Sequence, residues 1–157
     1  MFLYAFEEIF DEYPNKVLSL LNSNLPFFEL IRQWVGLYYD LNLKYPELLF
    51  VRFNKADKDL RRTSREYMNI FPPFGDKTMH YVYQQLSKLL KKEIAKGTIH
   101  PISASDFMLN CLSLMGFPFL GDFIAKQFMN LSDEEYIKTI HKRRDYVADA
   151  IINMIKK

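Results

Sequence analysis

The chain has a single cysteine, five glycines and seven prolines among its 157 residues, and each scarcity excludes a class of protein. One cysteine, Cys111, cannot form an internal disulfide framework and is typical of a reducing compartment. So few glycines and prolines in a chain that is 49% hydrophobic exclude a disordered polymer. Strand-type alternation of useful length is also missing. The high aromatic content (16%) therefore favours helices around a thick core.

The chain also lacks a large excess of charge of either sign. The formal net charge is only +2, and the isoelectric point near 8.5 lies below that of a typical nucleic-acid-binding module. The two local basic clusters, Lys88–Lys96 and Lys138–Arg144, lie on the polar sides of amphipathic patterns. We interpret them as solvated helix faces.

Targeting and membrane signals are absent from the pattern. The first residues, Met1–Glu8, have no basic lead and reach an acidic residue by the seventh position, unlike a signal peptide. The longest charge-free run, which follows Phe107, covers about 15 residues, short of the ~20 that a bilayer requires. We expect a soluble, cytoplasmic protein without membrane contact.

Residue patterns for chemistry are missing too. The three histidines, His80, His100 and His141, are isolated, so neither a di-iron bundle nor a zinc protease motif can be formed. There is no glycine-rich phosphate loop, and Cys111 lies on the apolar side of its helix, which is typical of a core residue. We expect no enzyme, no metal and no cofactor.

The spacing of apolar residues predicts an all-α, antiparallel bundle of about six helices in one domain, residues 1–157. Within residues 2–21, apolar side chains recur every three or four positions, as on one face of a helix. Pro14 interrupts this pattern, which predicts a kinked helix or two short helices. From Phe27 to Tyr45 apolar residues cover most of the helix circumference, which predicts the central helix of the bundle.

The middle of the chain is predicted from its start and stop signals. A short helix begins at Pro46, and a looser polar connection follows over residues 54–66. Residues 76–96 are amphipathic and end at Gly97, a residue suited to a left-handed cap.

Two consecutive helices are predicted in the last third, Ser103–Phe128 and Ser132–Ile155. Each begins with a serine followed three residues later by a carboxylate, Asp106 and Glu135, as in a capping box. The first helix carries more apolar surface than a small chain can cover. It is either a buried core helix or a face that meets a second copy of the chain.

A family resemblance rests on the order of these elements. The central helix ends in Leu43–Leu49 (LKYPELL), the amphipathic helix closes on Lys91–Pro101 (KKEIAKGTIHP), and a hydrophobic helix precedes the closing segment Leu131–Ile152. Over nearly its whole length the chain resembles the C-terminal ligand-sensing and dimerisation domain of TetR/AcrR-family transcriptional regulators.

The resemblance implies a mechanism of linked sites. Family members carry an N-terminal helix-turn-helix head, which we expect this chain to lack, because residues 1–21 look like a remnant of the helix that would link to it. DNA would be bound only through such a head. A small molecule in the core would favour one arrangement of the linking helix over another.

A homodimer is also implied, with the last two helices of each subunit forming a four-helix bundle. The residues expected at this interface are Leu112, Phe119, Phe123, Ile140, Val147 and Ile151.

The effector implied by the resemblance is a small, mostly apolar molecule, aromatic or cationic. The inward residues expected to bind it are Trp34, Tyr38, Phe50, Phe53, Tyr83, Met108, Cys111 and Met115, with Asn110 among the orienting groups. Each of these residues could instead simply fill the core. Two other functions remain open: a stand-alone helical carrier of lipid or another hydrophobic molecule, and an interaction module that docks a partner protein.

Overall fold

The computed structural model describes the backbone of residues 2–45 and 76–157 and the side chains of residues 12–45 and 80–157. These ranges contain six helices: α1 (Phe2–Leu21), α2 (Phe27–Lys44), α3 (Asp76–Ala95), α4 (Ala104–Leu120), α5 (Asp122–Met129) and α6 (Asp133–Ile155). Within the same ranges there is no strand, only an isolated antiparallel bridge between Ile99 and Lys156. The predicted all-α fold class is confirmed.

The first helix is continuous. Pro14 lies inside α1, which runs unbroken from Phe2 to Leu21, so the alternative of two short helices is wrong. A turn follows, in which the backbone N–H of Asn22 donates to the carbonyl of Leu18 at 3.0 Å, and Pro26 directly precedes α2. The predicted short helix at Pro46 and the predicted connection over residues 54–66 lie outside the described residues.

The second helix occupies the centre of the bundle, as its pattern predicts. It packs most extensively against α6 and also contacts α1 and α4. Its buried residues are Phe27, Leu30, Ile31, Trp34, Val35, Gly36, Tyr39 and Asn42. Because these side chains point in several directions around the helix, α2 forms the core from which the other helices are positioned.

The third helix ends as its sequence predicts. Gly97 has a φ of +75°, a left-handed conformation that glycine adopts without steric cost. Its N–H donates to Ile94 at 2.9 Å, and the N–H of Thr98 donates to the carbonyl of Glu93 at 3.0 Å. These two bonds form a Schellman motif, which satisfies carbonyls at the helix end.

The hydrophobic segment is where the prediction is wrong. Instead of one helix over Ser103–Phe128, the chain forms α4 and α5, whose axes are bent by 73° on either side of Gly121. Pro118 has no N–H to continue the helical ladder, and its carbonyl accepts a hydrogen bond from the Tyr136 hydroxyl at 2.7 Å. At Gly121 a Cβ atom would lie 2.6 Å from the Phe117 ring, so the missing side chain permits the close turn.

The two predicted N-caps differ in completeness. At α6 the backbone N–H of Glu135 donates to Ser132 Oγ at 3.2 Å, and the N–H of Ser132 donates to Glu135 Oε2 at 2.9 Å, so the capping box is complete. At α4 the N–H of Asp106 donates to Ser103 Oγ at 3.0 Å. The Asp106 carboxylate, however, accepts from the Ser103 hydroxyl at 2.6 Å, so only the first of the two reciprocal bonds forms.

Candidate functional site

A small apolar cavity lies where the end of α1 meets α2, α3 and α4. Its lining consists of Val17, Leu20, Leu21, Phe27, Leu30, Ile31, Trp34, Val82, Leu86, Phe107 and Met108. The cavity volume is about 20 Å³, the size of one water molecule. A water needs two to four polar partners, and this lining is apolar apart from the indole N–H, so we expect the cavity to be dry.

The single tryptophan of the chain lies beside this cavity. Trp34 is only 9% exposed, and its indole Nε1–H donates to the Tyr13 hydroxyl at 3.1 Å. The indole also stacks against Phe107, with ring centroids 6.5 Å apart and planes inclined by 29°. Burial raises the pKa of Tyr13 more strongly than the bond from Trp34 lowers it, so the phenol stays neutral. Trp34 is therefore fixed on two sides.

Of the predicted ligand-binding residues that the structure describes, only two lie together in the cavity lining. Trp34 and Met108 both line the cavity. Tyr38 is half-buried and makes edge contacts with other rings, and Tyr83 is half-buried on α3 outside the cavity lining. Asn110, expected as an orienting group, is exposed on α4.

Two further predicted ligand residues are packed in the core. Cys111 and Met115 are fully buried, and burial raises the pKa of the Cys111 thiol to about 12. Phe50 and Phe53 lie outside the described residues. Sequence reasoning missed Leu30 and Phe107. Leu30 lies one turn before Trp34 on α2, whereas the approach of Phe107 to Trp34 depends on how α4 packs against α2.

The last third of the chain exposes a large amount of apolar surface. One side of α4 enters the core through Phe107, Cys111 and Met115, whereas the opposite side faces outward. None of the residues of α5 is buried, and Phe128 is 91% exposed. We define the α4–α5 apolar surface as Leu109, Leu112, Phe117, Leu120, Phe123, Ile124, Phe128 and Met129. The interpretation as a buried core helix thus applies to one side of α4, whereas the other side is exposed in the single chain and its contact with a second copy stays a prediction.

The short helix α5 is joined to the start of α6 by one ion pair, between Lys126 and Asp133, while the pair of Lys126 with Asp122 lies within α5. Lys126 Nζ lies 2.9 Å from Asp122 Oδ2 and 2.8 Å from Asp133 Oδ1. The same ammonium lies 6.0 Å from the centroid of the Tyr136 ring. These contacts bind the polar side of α5 and leave its apolar side directed toward solvent.

The residues predicted at a dimer interface fall into two groups. Leu112 and Phe123 are 50% and 64% exposed, and Phe119 is half-buried against the Tyr39 ring, with centroids 5.1 Å apart. The other three residues, Ile140, Val147 and Ile151, are buried in the core of the single chain. The apolar stripe of α6 that contains them is covered by α2, so they offer no accessible surface to a second copy.

The described residues bear on two further kinds of site, a metal site and a membrane span. Within residues 12–45 and 80–157 no group of three His, Cys, Asp or Glu side chains is arranged to hold a metal ion. None of the described helices is by itself long and apolar enough to cross a membrane. Only α4 and α5 taken together meet that length and composition, and they are bent by 73°.

Comparison with known proteins gives no relative from which a function could be transferred. No family model matches the chain, and neither a curated protein nor a solved structure is significantly similar to it.

Proposed function

We propose that this chain is the effector-sensing and homodimerisation domain of a TetR-like transcriptional regulator, with a small, mostly apolar ligand bound in the helical core. The observation that carries the proposal is the α4–α5 apolar surface. Its eight side chains are exposed by 44% to 91%. At about 200 Å² for each fully exposed side chain, they leave on the order of 900 Å² of apolar area open to solvent.

That area is what a dimer interface would need. Monomeric proteins rarely expose apolar patches above a few hundred Å², whereas each partner of a standard interface buries about 800 Å². A second copy of the chain supplies the cover in this proposal. The interface then uses Leu112 and Phe123 with the exposed Tyr146 and Met154 of α6, and not the buried stripe of α6.

The cavity beside Trp34 supports the sensing part of the proposal, provided that it enlarges. Ligand pockets usually enclose about 300–1,000 Å³, far more than the 20 Å³ present. Leu20, Leu21 and Met108 are half-buried, and methionine adapts readily to a new shape. Because Val17, Leu20 and Leu21 belong to α1, a ligand that opens the cavity would displace that helix.

Such a displacement is how the effector would act. A ligand shifts an equilibrium only by its different affinity for the two states, and here the states differ in the position of α1 relative to α2. In a regulator of this type, DNA would be bound by a helix-turn-helix head attached to α1 and not by the helices described above.

The dimer is tested by charge insertion at the α4–α5 apolar surface. We expect Leu112→Arg to weaken self-association by at least a hundredfold in analytical ultracentrifugation, because it buries an unpaired charge. Gln84→Arg is the matched control, since it adds the same side chain at an exposed position of α3. Equal association of the two variants would contradict the proposed interface.

The alternative function is a stand-alone carrier of lipid or another hydrophobic molecule, which the apolar lining around Trp34 would also suit. Such a carrier needs no dimer and would retain its cargo. Native mass spectrometry separates the two functions. A monomer with a bound lipid indicates the carrier, whereas a ligand-free dimer supports the regulator domain.

A further inference from the structure

A second concavity lies on the surface between α1 and α2 and encloses about 190 Å³. Its lining consists of Glu12, Tyr13, Lys16, Leu37, Asp40, Leu41, Lys44 and Tyr45. We call it the α1–α2 cleft. A cavity of about 150 Å³ is enough to bind benzene, so this volume admits one aromatic ring with a small substituent.

The carboxylates of the cleft already have cationic partners. Glu12 pairs with Lys16 at 2.5 Å. Both oxygens of Asp40 are bound by Arg144 of α6, at 2.8 and 3.1 Å. Each carboxylate thus has one direct cationic partner, and Glu12 acts on Lys44 only at longer range.

Lys44 is the remaining cation among the cleft residues that the structure describes. Its ammonium lies 5.0 Å from the centroid of the Tyr45 ring and forms no ion pair with a carboxylate in the part of the chain that the structure describes. A hydrogen bond with Tyr45 and, more weakly, the charge of Glu12 raise the pKa of Lys44. Among the described residues, the cleft thus presents one positive charge without a direct carboxylate partner, beside aromatic and aliphatic side chains.

The aromatic wall is rigid before any ligand arrives. The Tyr13 hydroxyl accepts the bond from Trp34 at 3.1 Å, and the Tyr13 ring meets Tyr38 edge-on at 6.3 Å. A wall that is already ordered loses little conformational entropy when a molecule packs on it.

We propose that the α1–α2 cleft binds a small aromatic carboxylate, whose ring packs between Tyr13 and Leu41 and whose carboxylate pairs with Lys44. An uncharged analogue loses the ion pair, and a cationic analogue is repelled. This site needs neither a second copy of the chain nor the cavity on the other side of Trp34. It therefore stands independently of the function proposed above.

Benzoate is a suitable probe, with benzamide and benzylamine as its uncharged and cationic counterparts. In a titration of the full ¹⁵N-labelled chain we expect benzoate to bind with a Kd on the order of 1 mM, as is usual for so small a ligand. The amide shifts should concentrate in residues 12–16 and 37–45. Benzamide should bind about fivefold more weakly and benzylamine more weakly still, because an exposed ion pair contributes about that factor.

The variants locate the charge that recognises the ligand. Lys44→Gln should weaken benzoate binding about fivefold without changing the unfolding transition, since the side chain is exposed. Lys88→Gln, a matched change on α3, should leave the Kd unchanged. The site is refuted if benzoate does not saturate, if the three probes bind equally, if the shifts lie instead around Phe107, or if Lys44→Gln has no effect.

Discussion

Arg144 of α6 reaches across α2 and binds the carboxylate of Asp40 through two bonds, 2.8 Å from Nη1 to Oδ1 and 3.1 Å from Nη2 to Oδ2. The guanidinium passes directly over Gly36, where a Cβ atom would lie 2.6 Å from Nη2. A second ion pair, Arg32 with Asp149 at 2.6 Å, joins the same two helices. The central helix thus has a glycine where the arginine of its neighbour crosses it.

Gly36→Ala should uncouple this ion pair while changing stability little. The methyl group displaces the end of a flexible side chain, and the loss of an exposed pair, at most about 1 kcal/mol, is offset by the higher helix propensity of alanine. A double-mutant cycle between Asp40 and Arg144 in urea unfolding should give a coupling energy of about 0.5–1 kcal/mol. The same cycle in the Gly36→Ala background should give about zero, and an undiminished coupling would contradict the geometry.

Tyr13→Phe should destabilise the chain by about 1–2 kcal/mol. It removes the acceptor of the Trp34 indole N–H, which lies in a largely buried environment and cannot be fully satisfied by water. Urea unfolding followed by circular dichroism measures the change. Tyr81→Phe is the control. Because Tyr81 is exposed on α3, this substitution should change the free energy of unfolding by no more than about 0.5 kcal/mol. Equal effects would mean that the hydrogen bond contributes nothing.

The buried thiol of Cys111 should make stability fall in alkaline solution. Its pKa is raised from 9.0 to about 12 in the folded chain, so above pH 9 the unfolded state loses a proton that the folded state keeps. The free energy of unfolding then decreases with pH, by a slope that approaches about 1.4 kcal/mol per pH unit. Urea unfolding between pH 8 and 10 should show this slope in the native chain and a smaller one in Cys111→Ala. Parallel profiles would exclude the effect.

Lys126→Met should loosen α5 without unfolding the bundle. The ammonium bridges Asp122 and Asp133, and no residue of α5 is buried to replace that attachment. Amide hydrogen exchange over residues 122–129 should become about fivefold faster, with the other helices unchanged. Lys138→Met, which removes the exposed pair with Glu134, is the matched control. Exchange that is unchanged in α5 would show that other contacts hold it.

Helices whose apolar residues recur at a helical spacing, or whose ends carry a recognisable capping residue, could be predicted from the sequence. The all-round apolar pattern of Phe27–Tyr45 identified the central helix, Gly97 marked the end of α3, and the Ser132–Glu135 pair marked the start of α6. Each of these signals depends on residues close together in the chain. The local conformation of the backbone is therefore enough to produce each of these features.

The bend at Gly121 was missed although its signals were present. Continuous apolar character through Phe117 and Phe123 favoured one long helix and outweighed Pro118 and Gly121. The next helix adds a contact at the bend, from the Tyr136 hydroxyl to the Pro118 carbonyl, which no local pattern contains.

The candidate sites were predicted less well than the fold. An apolar stripe such as Ile140, Val147 and Ile151 shows that a helix is covered, but not whether its own chain or a second copy covers it. Here α2 covers it. Trp34 and Met108 do line one cavity, but their binding of a ligand stays a prediction. The ion pairs between α2 and α6 join residues about a hundred positions apart and left no signal in the sequence.

Hydroxyl-radical footprinting of the aromatic residues tests most directly whether a second copy covers the α4–α5 apolar surface. Phe123 and Phe128 are open to solvent in the single chain, and Tyr81 on α3 serves as the internal reference. We predict that oxidation of both phenylalanines, relative to Tyr81, falls several-fold between about 1 and 100 μM protein, because association depends on concentration. We also predict that it stays high in Leu112→Arg. Rapid oxidation of Phe123 and Phe128 at every concentration, in step with Tyr81, would contradict the dimer.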